Sequence, residues 1–384
     1  MKFGVLFEGQ IAHPTRANER QMLLDCVEQA VFAEEMGFDR VWAVEHHALK
    51  WYAHMSAPEI FLSVVAARTS RIRVGHGVVC VPFNYNHPVR VAERVATLDI
   101  LSGGRVDLGV GRGATYQEIS TFGIETMEET LEQMVESISM IPRCWADEDL
   151  VHDGMLTVPG RPILPKPVQD PHPPLFMACS REETLVLAAK LGIGALAMGW
   201  GGPDDIKVKR KIYDDAIASR DESKIVGTVP TNHLAGLSPA CVLDDRDTAR
   251  AIGVRGQLFF QDSIQHWYTG GPEPRADIEG EEAFQALRDR GEKVLDYIAK
   301  HLAEMPGQDL VKGGGVSRTA AGGFDPNQCY GNVNDAIEYV ERMEDAGADE
   351  IMMCFQMGTV PHEVIMESMA NVGKYVIPRF RDSR

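Results

Sequence analysis

The chain is expected to fold as an α/β protein, a (β/α)8 TIM barrel with insertions, and three observations carry that expectation. Short apolar runs alternate with longer stretches of helical periodicity along nearly the whole sequence. About eight such strand-then-helix units can be counted, a rhythm that implies a parallel sheet. The units recur without a composition break at the middle, which favours one closed sheet over two open halves.

The first strand covers residues 3–7, and a helix over 17–36 ends at Gly37. Residues 40–44 form the second strand. Pro58, pre-set for a first helical turn, then opens a helix to about Thr69. A third strand, apolar almost throughout, runs over 71–81. His87-Pro88 opens the next helix, which stops at Ser102-Gly103-Gly104 directly before a strand over 105–110. The stretch 127–145 carries Leu131, Met134, Val135, Ile138 and Ile141 at helical spacing. Strand and helix recur at 175–178 with 181–191, and at 194–198 with 204–219. A strand is expected over 226–235, then helix, strand and helix at 333–346, 350–355 and 361–379. Two stretches break the rhythm. Residues 151–174 are rich in Pro and Gly, and 267–328 contain Gly313-Gly314-Gly315 and Gly322-Gly323. The second is too long for a plain connection and is expected to form an insertion or lid on a single domain spanning 1–384.

Among 384 residues, 56 acidic and 38 basic side chains leave a net charge of −18. Such a surface repels nucleic acid and anionic membrane, so neither is expected as a partner. An anionic cofactor can bind only where basic groups or backbone N–H groups are concentrated locally. The seven cysteines are scattered without a C-x-x-C pair, and read as free thiols in a reducing compartment rather than a disulfide frame or a zinc site. The N-terminal run MKFGVLFE has no signal-peptide core, and no apolar stretch is long enough to span a bilayer. A cytoplasmic protein is expected.

Glu45-His46-His47 falls at the C-terminal end of the second strand, the rim where barrels carry out chemistry. Strand alternation points Glu45 and His47 one way and His46 the other, so the three cannot converge on one metal, and no metal site is expected. One of the two histidines is a candidate for catalysis; the alternative is a rim histidine bonded within its loop. Gly109-Val110-Gly111-Arg112-Gly113-Ala114 matches G-x-G-x-x-A as text, but that fingerprint belongs at the first strand of its own fold. What survives is physical. Gly111 and Ala114 allow close backbone approach to a ligand, and Arg112 offers a charged fork for phosphate, against the alternative of a tight turn with a surface arginine. Ser180 is a plausible N-cap with Glu183 completing a capping box, and the same helix start could present N–H groups to an anion. Gly77 interrupts the third strand, the mark of a bulge or a close backbone approach. Trp200 with Gly201 and Gly202 could wall a ring-shaped ligand or form an ordinary loop.

Taken together, these residues resemble the bacterial luciferase-like flavin-dependent monooxygenases. The matching order is MKFG, Gly37-Phe38-Asp39, Val41-Trp42, Glu45-His46-His47, His87-Pro88-Val89-Arg90, Leu98-Asp99, Ser102-Gly103-Gly104-Arg105, Gly111-Arg112-Gly113 and Phe122-Gly123. Ala188-Ala189, His266-Trp267-Tyr268 and Ala346-Gly347-Ala348-Asp349 continue it, and the likeness is weakest over about 270–330. The resemblance implies a barrel binding reduced FMN at its rim, with the phosphate held by Arg112 and helped by Ser180 and Thr184. It implies a non-prolyl cis peptide at Gly77–Val78 beside the flavin ring, and His46 as the catalytic acid/base. It further implies O2 as co-substrate, a small organic substrate, a separate flavin reductase supplying FMNH2, and a homodimer. The related barrels that use deazaflavin F420 as a hydride carrier, a non-catalytic flavin-binding protein, and more distantly a metal-dependent hydrolase are the alternatives. Two departures stand out. A second phosphate arginine of the luciferases falls at Thr130, and a cysteine near their flavin is replaced by Gly111.

Overall fold

In the computed structural model of the protein, described over residues 1–274, 281–301, 317–319, 322–324 and 328–381, eight parallel strands close into a barrel. In chain order the strands are β1 (Lys2–Phe7), β2 (Arg40–Ala43), β3 (Arg73–Cys80) and β4 (Val106–Gly111). A hairpin of β5 (Leu150–Asp153) and β6 (Thr157–Arg161) follows, then β7 (Leu175–Cys179), β8 (Gly194–Ala197) and β9 (Leu234–Val242). The short β10 (Ser317–Thr319), β11 (Gly322–Phe324) and β12 (Cys329–Gly331) precede β13 (Glu350–Cys354). The barrel order is β1, β2, β3, β4, β7, β8, β9, β13 and back to β1, so the expected (β/α)8 architecture is present.

The helices between strands begin where the sequence supplies caps. Thr15 accepts from the Asn18 amide to start α1 (Arg16–Glu35), and Pro58 and Pro88 occupy the first turns of α2 (Pro58–Arg68) and α3 (Pro88–Ser102). Then come α4 (Tyr116–Thr121), α5 (Met127–Ala146), α6 (Glu182–Leu191), α7 (Gly202–Ala218) and α8 (Arg246–Thr269). After these are α9 (Glu281–Asp289), α10 (Val294–Lys300), α11 (Val333–Asp345) and α12 (His362–Asn371).

One indole fills the barrel floor. Trp42 is fully buried, and a Cβ built on Gly75 would lie 2.3 Å from its ring. Cβ atoms built on Gly77 and Gly4 would lie 3.3 and 3.1 Å from the same ring, so three glycines make room for one large side chain. Trp42 donates to Glu350 (2.8 Å), which is also ion-paired with Arg40 and bonded to His233 (3.1 Å). Arg40 and Arg73 both pair with buried Asp107, at 3.0 and 2.7 Å. Burial opposes ionisation of Glu350, but the Arg40 charge, His233 and the Trp42 bond outweigh it and hold the carboxyl down at about 2.

Several sequence expectations are corrected. The strand expected over 226–235 lies eight residues later, at β9. Residues 226–231 instead bond back to the end of α6, Val226 donating to Leu191 and Thr231 to Gly192. Gly236 and Pro239 disguise β9, yet every one of its residues is buried, so it needs no polar alternation. The irregular 151–174 contains most of the β5–β6 hairpin. The insertion expected from 267 starts inside α8, which ends on Gly270 in the left-handed region (φ 71°). Its α9 and α10 pack on the barrel flank, where Arg288 pairs with Glu363 of α12. Of the expected insertion or lid over 267–328, residues 275–280, 302–316, 320–321 and 325–327 lie outside the described residues. All seven cysteines are free and buried. Among the described residues no helix is long and apolar enough to cross a membrane.

Candidate active site at the barrel rim

Three acid–base groups meet where β1 and β2 leave the barrel. His46 follows β2, and its Nδ1 lies 2.8 Å from Oε1 of Glu118, a buried side chain on α4. Glu118 is pinned from several sides. Its Oε2 accepts from the Ala114 and Thr115 amides (2.9 and 3.2 Å), and its Oε1 also accepts from the His47 amide (3.1 Å). The Thr115 hydroxyl accepts from the Glu118 amide in return, so a capping box starts α4 while its carboxylate reaches across to the histidine. Burial favours a neutral Glu118, but the His46 ring and the amide bonds hold its pKa below the usual carboxylate range. Burial likewise opposes the His46 charge, yet the Glu118 charge and hydrogen bond, with Glu8 and Glu45 behind, raise it to about 9. His46 is therefore an imidazolium at neutral pH, with Nε2 turned toward Glu8 at 4.0 Å.

His47 has a different fate. Its Nε2 bonds Glu45 (3.0 Å), and its ring packs between Tyr85 and Phe122 at 5.6 and 4.7 Å. Glu45 in turn accepts from the Cys80 amide (2.7 Å) and from Asn86 (2.9 Å), tying the ends of β2 and β3 together. The alternation read from the sequence holds: Glu45 and His47 share one side, and His46 faces the other. Of the two histidines, His46 is the one left facing the barrel mouth.

Arg112 follows β4. Its Nη1 donates to the Met127 carbonyl (2.7 Å) and lies 3.4 Å from the Thr130 hydroxyl, which fixes the guanidinium against the start of α5. Burial lowers its pKa, and the like charge of Arg181 lowers it further. Among the described residues no carboxylate lies within ion-pair distance of Arg112, and the charge of the more distant Glu128 only partly offsets the two cations, an arrangement that suits a bound phosphate. Ser180 does not cap α6. The backbone stays extended through Arg181, which is the N-cap, and the Thr184 hydroxyl accepts from the Arg181 amide (3.3 Å) and donates to its carbonyl (2.8 Å). Ser180 thus lies one residue outside the helix and exposed, while Thr184 takes the turn-back role expected of Glu183.

The Gly77–Val78 peptide is cis, as the resemblance implied. A Cβ on Gly111 would meet Val78 at 2.5 Å, so these residues touch across β3 and β4. Ala114 gives its amide to Glu118, as noted above. The wall opposite is aromatic: Tyr52 lies 5.0 Å from His46 and 5.5 Å from Phe260, and Phe260 lies 4.8 Å from Trp200. The end of α8 closes over the loop carrying Tyr52, where Trp267 donates to the Lys50 carbonyl (2.8 Å) and Tyr268 stands 6.4 Å from Tyr52. Sequence reasoning missed Glu118 and Glu8. Thr115-x-x-Glu118 was a readable capping-box signal, and Glu8 is an acid set directly after an apolar strand.

The family model of luciferase-like monooxygenases matches residues 1–350. A 4-hydroxyprotoasukamycin monooxygenase from Streptomyces nodosus subsp. asukaensis is 28% identical over 298 residues, 74% of this chain and 76% of that protein. An F420-dependent glucose-6-phosphate dehydrogenase from Amycolatopsis mediterranei is 39% identical over 135 residues, 34% of this chain and 40% of that protein. The oxygenase component of a flavin-dependent trigonelline monooxygenase from Acinetobacter baylyi is 32% identical over 165 residues, 42% and 44% of the two chains. Among solved structures, monooxygenase RslO1 from Streptomyces bottropensis superposes with a TM-score of 0.74 at 22% identity, covering 99% of this chain and 100% of that one. The oxygenating constituent of 3,6-diketocamphane monooxygenase from Pseudomonas putida, in complex with FMN, gives 0.69 at 17% identity, covering 99% and 98%.

Proposed function

Because the chain belongs to the luciferase-like monooxygenase family, we propose that it is the oxygenating component of a two-component FMN-dependent monooxygenase acting on a small organic substrate. The observation that carries this reading is the pairing, on one rim, of an Arg112–Arg181 cation site with a His46 kept protonated by Glu118. The resident cofactor is taken to be reduced FMN, which supplies the electrons for oxygen activation. Arg112 and Arg181, with the first-turn amides of α6 and the Thr184 hydroxyl, would hold its phosphate. A phosphomonoester such as that of FMN carries up to two negative charges and suits two guanidiniums. Gly77, Val78, Gly111 and Ala114 would line the flavin ring. His46 would donate its Nε2 proton and take one back, working as general acid and then base. A separate reductase is proposed as the source of reduced flavin, in line with the trigonelline relative named as an oxygenase component.

The F420 reading has its own support, a relative named F420-dependent that is 39% identical over 135 residues. Anaerobic titration with reduced FMN and, separately, reduced F420 distinguishes the two. Saturable binding of FMN, with slower reoxidation than free flavin on mixing with oxygen, is the expected result. Preferential F420 binding without oxygen consumption would replace monooxygenation by hydride transfer. Within the proposal, His46→Ala should reduce turnover by about 10²–10⁴-fold while leaving flavin affinity within a few-fold; intact turnover would remove His46 from the mechanism.

A further inference from the structure

Glu8 is the group on this rim with no role so far. It follows β1 directly, is only 4% exposed, and its Oε2 is buried with no hydrogen-bond partner. A buried orphan carboxyl oxygen is costly and calls for an explanation. His46 Nε2 lies 4.0 Å from it. That gap is too long for a hydrogen bond and too short for a bridging water, so a direct proton transfer requires a side-chain rotation. The other ring nitrogen is already committed to Glu118, which its amide bonds hold as a carboxylate. Glu118, His46 and Glu8 therefore stand in a row, with one fixed acceptor at one end and one unsatisfied carboxyl at the other.

Resting on the reading of His46 as the acid/base, we infer that Glu8 is its proton-holding partner, a positioning residue that reloads His46 from the side opposite Glu118. When His46 gives up its Nε2 proton, Glu8 Oε2–H transfers its proton to that nitrogen, leaving a Glu8 carboxylate and an imidazolium. No electrons change hands, and the carboxylate regains a proton from solvent at the end of the cycle. The protonation states fit this cycle. Burial, with the nearby Glu118 charge, raises Glu8 to about 7 against the opposing pull of His46. At neutral pH its carboxyl is thus divided between the two forms, while His46 is charged. Glu118 and His46 face Glu8 from α4 and the loop after β2, Tyr52 from the same loop, Tyr268 from α8, and Cys354 from β13. Burial raises the Tyr52 and Tyr268 hydroxyls and the Cys354 thiol well above their ordinary values, which leaves Glu8 and His46 as the groups that exchange protons near neutrality.

The test is an NMR titration of the His46 ring nitrogens in the ligand-free protein, so it does not depend on the cofactor or on turnover. The wild type should show two inflections, near 7 as Glu8 ionises and near 9 as the ring itself does. Glu8→Gln should abolish the lower inflection and move the upper one down; Glu8→Asp should keep both, and Tyr52→Phe should leave both in place. A Glu8→Gln curve that superimposes on the wild type overturns the inference, and so does a wild type with one inflection. Should Glu8→Gln fail to fold, the number of inflections in the wild type and Glu8→Asp still decides. In turnover, Glu8→Gln should lower kcat with KM unchanged and erase the limb near pH 7. If oxygenation is never detected while both inflections are present, the functional reading fails and the proton pair stands.

Discussion

At the scale of the residue, His46 and His47 show how partners rather than identity assign chemistry. Both are histidines on one rim, yet His47 is locked by Glu45 and two aromatic rings, whereas His46 is charged by Glu118 and faces the mouth. Removing that charge should be decisive. Glu118→Gln is expected to drop the His46 pKa from about 9 toward the ordinary ~6.5, read by NMR, and to cost about 10²–10⁴-fold in kcat. The same groups set how stability follows pH. His46, raised in the folded state, contributes fully below about 6.5 and loses that contribution as pH climbs through about 9. Glu8 works in the same sense over a lower range, since ionising it in its buried site costs stability progressively from about pH 4.3 to about 7. Thermal midpoints measured across pH should therefore decline between about 6.5 and about 9 in the wild type, and this decline should shrink in Glu118→Gln. The sequence made His46 and His47 visible as a pair. Their pattern alone could not choose between them, and only the family resemblance pointed to His46, because the deciding carboxylate lies 72 residues away on a separate helix.

At the scale of the element, helix starts do much of the site's construction. The six-residue α4 would hold little structure alone, yet its capping box aims Glu118 at the barrel mouth. The start of α6, turned by the Thr184 bond to the Arg181 amide, brings the Arg181 charge within range of Arg112. Thr184→Ala removes the bond to the Arg181 amide and should destabilise the protein by about 1 kcal/mol. Arg112→Ala should weaken reduced-FMN binding by about tenfold or more, the order of one charge-assisted bond, with a smaller effect on riboflavin, which lacks the phosphate. Equal losses for the two flavins would place the phosphate elsewhere. The element boundaries were legible where caps were strong, as at Pro58 and Pro88. They failed at Ser180, where an extended Arg181 postpones the helix by a residue. They failed again at β9, because a strand buried on both faces has no alternation to read, and its Gly236 and Pro239 look like a turn.

At the scale of the whole molecule, the alternation of strand and helix was enough to foresee a closed eight-stranded barrel, because each unit repeats the same local pattern. The insertion was not legible in detail, since α9 and α10 owe their places to docking on α12 rather than to their own periodicity. The floor of the barrel is also a product of the whole, assembled from residues on β1, β2, β3, β4 and β13. Gly75→Ala places a methyl 2.3 Å from the Trp42 ring and should cost about 1–3 kcal/mol by chemical denaturation, with the site itself untouched. The same substitution in a Trp42→Leu background should cost measurably less, the mark of two positions that share one volume. That sharing reaches into the history open to this chain. The indole is housed only while Gly75 and Gly77 stay bare, and a side chain at Gly4 would meet Glu350 Oε1 at 2.5 Å as well as the ring. Sequence drift at the floor must therefore pass through paired or compensated changes, a methyl at Gly75 being admitted only once the indole has given way.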